Sequence, residues 1–248
     1  MKNRKIALIT GSSKGIGNSI ADHLLDNDYF IYINGRDLDK TKKLKKYLNK
    51  NVEFVQGDLN EEKGIISVLK KIKSNGHSLD LVVCNIGTGR YKSGCDFSIR
   101  DFRNAFDINF FSSVMMSRHA IKEMKRRGGH IVFISSIAGC ESISAPISYS
   151  TAKAALIAYC KNLSIETALH NIRINCISPG NVMFKNSVWD KKMKLDKKKV
   201  KNYIKENVPM NEFIDPINIA ETVLFLDKNE KMTGANIIID GGQTRKLI

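Results

Sequence analysis

Cysteine is sparse and unpatterned in this chain of 248 residues: Cys84, Cys95, Cys140, Cys160 and Cys176 are odd in number, widely spaced and contain no C-x-x-C pair. That spacing argues against a disulfide framework and a zinc cluster, and it leads us to expect a reducing, cytoplasmic location. Long hydrophobic runs are missing as well. Nothing approaches the roughly 18 apolar residues that cross a bilayer, so no membrane association is expected. The basic start MKNRKIALIT passes straight into a glycine-rich turn with no small-residue cleavage site, so no secretory signal is expected. The histidines His23, His77, His119, His130 and His170 show no H-x-x-x-H or H-E-x-x-H spacing, and no metal is expected. Repeats, low-complexity tracts and Pro/Gly-rich linkers are also lacking, which leaves 1–248 as one expected domain.

Acidic residues are outnumbered. Forty Lys and Arg against 25 Asp and Glu give a formal charge of +15, enough to draw anionic ligands toward the surface. The lysines are spread through helix-like segments (40–50, 70–73, 191–205) rather than gathered in a tail, and no nucleic-acid motif accompanies them. They read as solvated helix faces, and no nucleic-acid partner is expected.

What is present is a steady alternation of short β-type runs and longer helical ones. Residues 5–10, 30–34, 52–56, 79–84, 130–135, 172–177 and 236–240 are rich in Ile and Val, and the first five are continuously apolar, as in strands covered on both faces. Between them 16–26, 39–49, 61–74, 99–127 and 150–169 read as helices. Alternation of this kind predicts an α/β fold with a parallel sheet of seven strands. Residues 184–209 read as irregular, with lysines, Trp189 and Met193, and are expected to form a substrate lid.

Two places carry chemistry. The first strand runs into Thr10-Gly11-Ser12-Ser13-Lys14-Gly15-Ile16-Gly17 and then a helix. Glycines in such a turn let backbone amides approach a pyrophosphate at the helix N-terminus, so a dinucleotide is expected there. About twenty residues on, a carboxylate would hold an adenosine ribose, whereas an arginine would accommodate a 2′-phosphate. Here the second strand ends Asn34-Gly35-Arg36-Asp37, with Lys14 as a second cation. NADP(H) is therefore expected over NAD(H), although a register one residue off would present Asp37 to the ribose. The second place is Tyr149-Ser150-Thr151-Ala152-Lys153, a phenol and an ammonium on one helix face. A neighbouring cation is expected to lower the phenol pKa and make it a usable proton donor and acceptor. Ser135-Ser136 ends the fifth strand thirteen residues earlier, at the same sheet edge.

Taken together the residues resemble the short-chain dehydrogenase/reductase family in its single-domain form. The resemblance runs from T-G-x-x-x-G-I-G at 10–17 through Asp58-Leu59, N-x-G at Asn85 to Gly87, Asn109, Ser136, Y-x-x-x-K from Tyr149 to Lys153, and Pro179-Gly180 to Asp240-Gly241-Gly242. It implies a Rossmann-type, doubly wound sheet and hydride transfer between a nicotinamide and a ketone or secondary alcohol. In that family the tyrosine moves the proton, which gives Tyr149 that role. Lys153 would lower its pKa and hold the nicotinamide ribose, Ser136 would bind the substrate oxygen, and Asn109 would position a water leading to Lys153. Gly11, Ser13, Lys14, Ile16 and Gly17 would line the pyrophosphate, Arg36 the 2′-phosphate, and Asp58 and Leu59 the adenine. Asn85, Gly87, Tyr149, Lys153, Pro179, Gly180 and Val182 would complete the groove.

Two positions depart from the family pattern: Ile86 replaces a smaller residue beside the cofactor, and Phe184 stands where a threonine often contacts the carboxamide. The resemblance also implies a homodimer or, more often, a homotetramer through the apolar stripes of the 101–125 helix and the Tyr149 helix. The basic surface favours an anionic substrate or carrier: an acyl thioester, a sugar phosphate or a nucleotide sugar. A 3-oxoacyl-carrier-protein-reductase-like enzyme and a catalytically silent cofactor-binding regulator are the alternatives.

Overall fold

The computed structural model describes residues 4–37 and 51–245. The helix expected at 39–49 lies outside the described residues. Seven strands form one parallel sheet: β1 (Ile6–Ile9), β2 (Phe30–Gly35), β3 (Val52–Gln56), β4 (Leu81–Cys84), β5 (Gly129–Ile134), β6 (Ile172–Pro179) and β7 (Asn236–Ile239), in the order β3-β2-β1-β4-β5-β6-β7. All seven expected strands are present, and every pairing is parallel. While all strands run the same way, the order in which successive strands are added reverses between β1 and β4. Their carboxyl ends therefore border the crevice where ligands of such sheets bind.

Helices cover both faces. On one, α1 (Gly15–Leu25) and α8 (Pro216–Lys228) bury Ile20, Leu24, Ile219 and Val223 against Ile9, Ile33 and Val83. On the other, α2 (Glu62–Ser74), α4 (Ser112–Met124) and α5 (Ile147–Ala168) bury Ile65, Val68, Met116, Leu156 and Cys160 against Leu8, Val82 and Phe133. Burial on both faces is why β1, β2 and β4 carry no polar alternation.

Two elements differ from expectation. The single helix expected over 99–127 is broken: α3 (Ile99–Phe106), opened by a Ser98/Asp101 capping box, passes through a π-helical turn, Asp107–Phe111, before α4 begins. An inserted residue of this kind widens one turn without interrupting the apolar pattern, and such turns gather at functional sites. Residues 184–209 are not irregular but hold two helices, α6 (Val188–Leu195) and α7 (Lys197–Asn207), capped by the side chains of Ser187 and Asp196. The rings of Trp189, Tyr203 and Phe213 pack together beneath them, with centroids 4.6–6.2 Å apart.

Candidate active site

The glycine-rich turn is fixed from both sides by neighbouring strand ends. Asn34, at the end of β2, accepts the Gly11 N–H through Oδ1 (3.2 Å) and donates Nδ2 to Val55 O and Gly57 O (both 3.2 Å). Ser12 N donates to Asn34 O and Ser12 Oγ accepts from Asn34 N, each at 3.0 Å. From the β4 side, Asn85 N donates to Thr10 Oγ1 (2.9 Å) and Asn85 Nδ2 donates to Thr10 O (3.1 Å). The turn is thus placed over the β1–β4 crevice by the two asparagines that flank it.

Above it lies an open groove of about 490 Å³. Of the expected cofactor residues, Gly11, Ser13, Lys14, Ile16, Arg36, Asp58, Leu59, Asn85 and Gly87 line it. Gly17 sits beneath, where a Cβ would fall 2.6 Å from Asn85 Nδ2. Tyr149, Lys153, Pro179, Gly180 and Val182 do not line it: Gly180 packs under Asp240 and Gln243, and Val182 bridges to Ile214. Past them the chain reaches the groove at Phe184, whose ring lies on Gly15. Asn34, Gly57, Asn60, Thr88 and Ile108 also face the groove without any spacing signature to announce them.

The groove suits an anion at its centre. Helix α1 starts at Lys14 with no capping side chain and no acidic residue in its first turn, so its first amides keep their donor capacity for a ligand. At one end Gly35 presents no side chain, Asn34 is buried and fully engaged, and the exposed Arg36 stands 3.9 Å from Asp58.

The proton-transfer residues come together at the β5 and α5 side. Ser136 follows β5 and caps a single 3-10 turn, Ile137–Gly139, by accepting the Ala138 N–H (3.2 Å). That turn lies directly on α5: a Cβ at Gly139 would sit 2.6 Å from the Lys153 carbonyl carbon. Ser135 Oγ donates to Lys153 O at 2.9 Å, which fixes the register of α5 against the strand end. The Ser136 hydroxyl is thereby brought near enough to the Tyr149 phenol to act on its pKa. Lys153 Nζ lies 5.9 Å from the centre of the Tyr149 ring and donates to Ile134 O at 2.8 Å.

Asn109, in the π-helical turn, is wholly buried. Its Oδ1 accepts the Thr88 N–H (2.9 Å), and its Nδ2 donates to Ala105 O (3.0 Å) and to Tyr91 Oη (3.2 Å). Gly87 separates Asn109 from Lys153, and a Cβ there would lie 2.9 Å from Asn109 Oδ1 and 3.2 Å from Lys153 Nζ. Only a residue without a side chain leaves room for the two polar groups to face one gap. Tyr91 had no expected role, because nothing in its spacing marks it.

One electrostatic expectation is reversed. Burial raises the Tyr149 phenol above its ordinary pKa, and the Ser136 hydroxyl only partly offsets that. The ammonium does not lower it here, because burial pushes Lys153 itself down to about 8 and its proton is directed at Ile134 O. Cys84, beneath the groove, is buried and burial pushes its thiol well above the ordinary value, as fits a packed strand residue.

Comparison with known proteins gives one consistent picture. A family model described as enoyl-(acyl carrier protein) reductase matches residues 11–244. The 3-oxoacyl-[acyl-carrier-protein] reductase of Rickettsia prowazekii is 32% identical over 241 residues, covering 96% of each chain. That of Buchnera aphidicola is 31% identical over 246 residues, covering 96% of this chain and 97% of its own. Among solved structures, L-sorbose reductase from Gluconobacter frateurii, complexed with NADPH and L-sorbose, superposes with a TM-score of 0.89 at 27% identity over 98% of both chains.

Proposed function

The chain belongs to the short-chain dehydrogenase/reductase family, whose members among its relatives are oxidoreductases acting on CH–OH and C=O groups, and on that premise we propose that it is an NADP(H)-dependent carbonyl reductase with Tyr149 as its acid. The observation that carries this reading is the convergence of Ser136, Tyr149, Lys153 and Asn109 around Gly87 and Gly89, of which Gly87 lines the groove.

The cofactor, when bound, supplies the hydride that the carbonyl carbon receives. The Ser136 hydroxyl hydrogen-bonds the substrate oxygen and Tyr149 donates its phenolic proton to it, so the C=O π bond is exchanged for a C–H and an O–H bond. Lys153 holds positive charge beside the phenolate that remains, and the gap at Gly87 joins it to Asn109 for reprotonation. Gly11, Ser13, Lys14, Ile16 and Gly17 form the pyrophosphate cradle. Asp58 and Leu59 would flank the adenine, while Asn85 and Gly87 would border the nicotinamide half. Three features favour the 2′-phosphate: the bare Gly35, the engaged Asn34 and the exposed Arg36. A relative in the comparisons was solved with NADPH, which agrees.

The substrate we favour is an anionic or carrier-linked ketone, because the helical pair at 184–209, the proposed lid, carries Lys191, Lys192, Lys194 and Lys197 to Lys199. Phe111, Ile147, Ile165 and Leu169 expose apolar surface on the π-helical turn and α5, which supports a homodimer or homotetramer. Five unpaired thiols fit a reducing cytoplasm.

The test is NADPH oxidation with acetoacetyl-coenzyme A and with L-sorbose, by the unaltered chain and by Tyr149→Phe. Turnover of either ketone that disappears in Tyr149→Phe, with NADPH binding kept, supports the reading. Turnover that survives the substitution refutes it.

A further inference from the structure

We propose that Tyr91 is a positioning residue for this reaction, its hydroxyl holding the Asn109 amide in the orientation from which Asn109 serves Lys153 and Tyr149. The proposal rests on the carbonyl-reductase reading above and adds a residue that the motif pattern does not contain.

Tyr91 follows β4 in the short segment Gly87-Thr88-Gly89-Arg90-Tyr91. Its N–H donates to Gly89 O (3.0 Å), a tight turn that folds the segment back on itself. Both ends of the segment reach the site. Gly89 faces the Tyr149 ring, with a Cβ there lying 3.8 Å from the ring carbons, and Tyr91 Oη meets Asn109 Nδ2 at 3.2 Å. Thr88 contributes the third contact through its N–H to Asn109 Oδ1.

The donor and acceptor inventory makes the Tyr91 bond directional. Thr88 N–H can only donate and Ala105 O can only accept, so the Asn109 amide has its oxygen toward Thr88 and its NH₂ toward Ala105. The second NH₂ hydrogen therefore faces Tyr91, whose oxygen must accept it. Asn109 is fully buried, so Tyr91 Oη is the acceptor that keeps this hydrogen satisfied. Without it the amide would be held through only one of its two N–H bonds, in a π-helical turn whose backbone is already irregular.

The consequence is a closed circuit around Gly87 and Gly89. Tyr91 holds Asn109, Asn109 faces Lys153 across the Gly87 gap, and Lys153 lies against Tyr149. Burial holds the Tyr91 phenol above its ordinary pKa, so it stays neutral through the range where an acid-donating Tyr149 works. Tyr91 acts on the reaction through Asn109 and need not touch the substrate.

Tyr91→Phe in the full chain removes only the hydroxyl. Expected is a loss of about tenfold in kcat for the ketone that is turned over, with KM and the NADPH dissociation constant changed by less than about twofold. A second readout needs no substrate: in protein labelled with 15N-asparagine, the Asn109 side-chain resonance, identified by its loss in Asn109→Ala, should shift and exchange faster with solvent in Tyr91→Phe. An unchanged kcat, a change confined to KM, or an Asn109 resonance left in place would each overturn the proposal. Failure of the underlying reading shows separately, as turnover that persists in Tyr149→Phe.

Discussion

At the scale of single residues, the two groups that set the chemistry are Tyr149 and Lys153, and both are governed by burial. The phenol, raised above its ordinary value, is protonated at neutral pH and suited to giving a proton to a reduced carbonyl. Alcohol oxidation needs the phenolate instead. We therefore expect ketone reduction to dominate near neutrality and alcohol oxidation to rise steadily with pH, measured as initial rates in both directions. Lys153, lowered to about 8, is charged below that value and neutral above it. Reduction should then fall as pH passes through about 8, and Lys153→Met should lose that limb together with about 100-fold or more in rate, checked by the pH profile of kcat. A limb that persists in Lys153→Met would assign it elsewhere.

Much of this was legible beforehand: the glycine turn marked residues that line the groove, and the Y-x-x-x-K spacing and the Ser136 offset marked residues that lie together beside Gly87 and Gly89. The direction of the Tyr149 shift was not, because sequence shows the lysine nearby but not how deeply Lys153 is buried or that Ile134 O takes the ammonium proton.

Among the elements, the sheet is secured at the edge opposite the groove. Asp227 in α8 is buried where the first residues of β1, β5 and β6 meet. It accepts from Tyr29 Oη (2.5 Å), Lys5 Nζ (2.8 Å), His130 Nδ1 (3.1 Å) and Arg173 (3.5 Å). Those partners hold its carboxyl well below the usual range despite burial. His130 goes the other way: burial outweighs the carboxylate and lowers it to about 4, so it is a neutral donor at pH 7.

The linkage sign follows from these shifts. Between about 6.5, the ordinary value, and about 4 the unfolded chain binds a proton on His130 that the native chain does not. Stability should thus drop by up to about 3 kcal/mol as pH falls through that window. Asp227 adds its own loss only below the ordinary carboxylate range, as its lowered folded value is approached. Urea unfolding at several pH values checks this, and His130→Gln should flatten the slope between pH 6.5 and 4. An equally steep slope in that variant would place the titrating group elsewhere.

Strands were the most legible elements, since two-sided burial leaves continuous apolar runs. The π-helical turn was not, because one inserted residue preserves the apolar stripe of the surrounding helices. The helices at 188–195 and 197–207 were missed because their faces are mostly lysine. Their caps, Ser187 with Asp190 and Asp196 with Lys199, were the signals available.

For the whole molecule, surplus positive charge and a groove lined by Lys14 and Arg36 point the same way. Replacing Lys191, Lys192, Lys194 and Lys197 to Lys199 by glutamine should raise KM for an anionic ketone and flatten its dependence on salt, while leaving KM for a neutral ketone unchanged. Equal KM values and equal salt dependence for the anionic ketone would remove the lysines from substrate capture.

The proposed chemistry requires the groove to be an NADP(H) site with Arg36 at its 2′-phosphate end. Its most direct test is a fluorescence titration of the purified chain with NADPH and with NADH, repeated on Arg36→Ala. Expected is a clear preference for NADPH in the unaltered chain and loss of that preference in the variant, through weaker NADPH binding. Preference for NADH, or an NADPH preference that survives in Arg36→Ala, would contradict it.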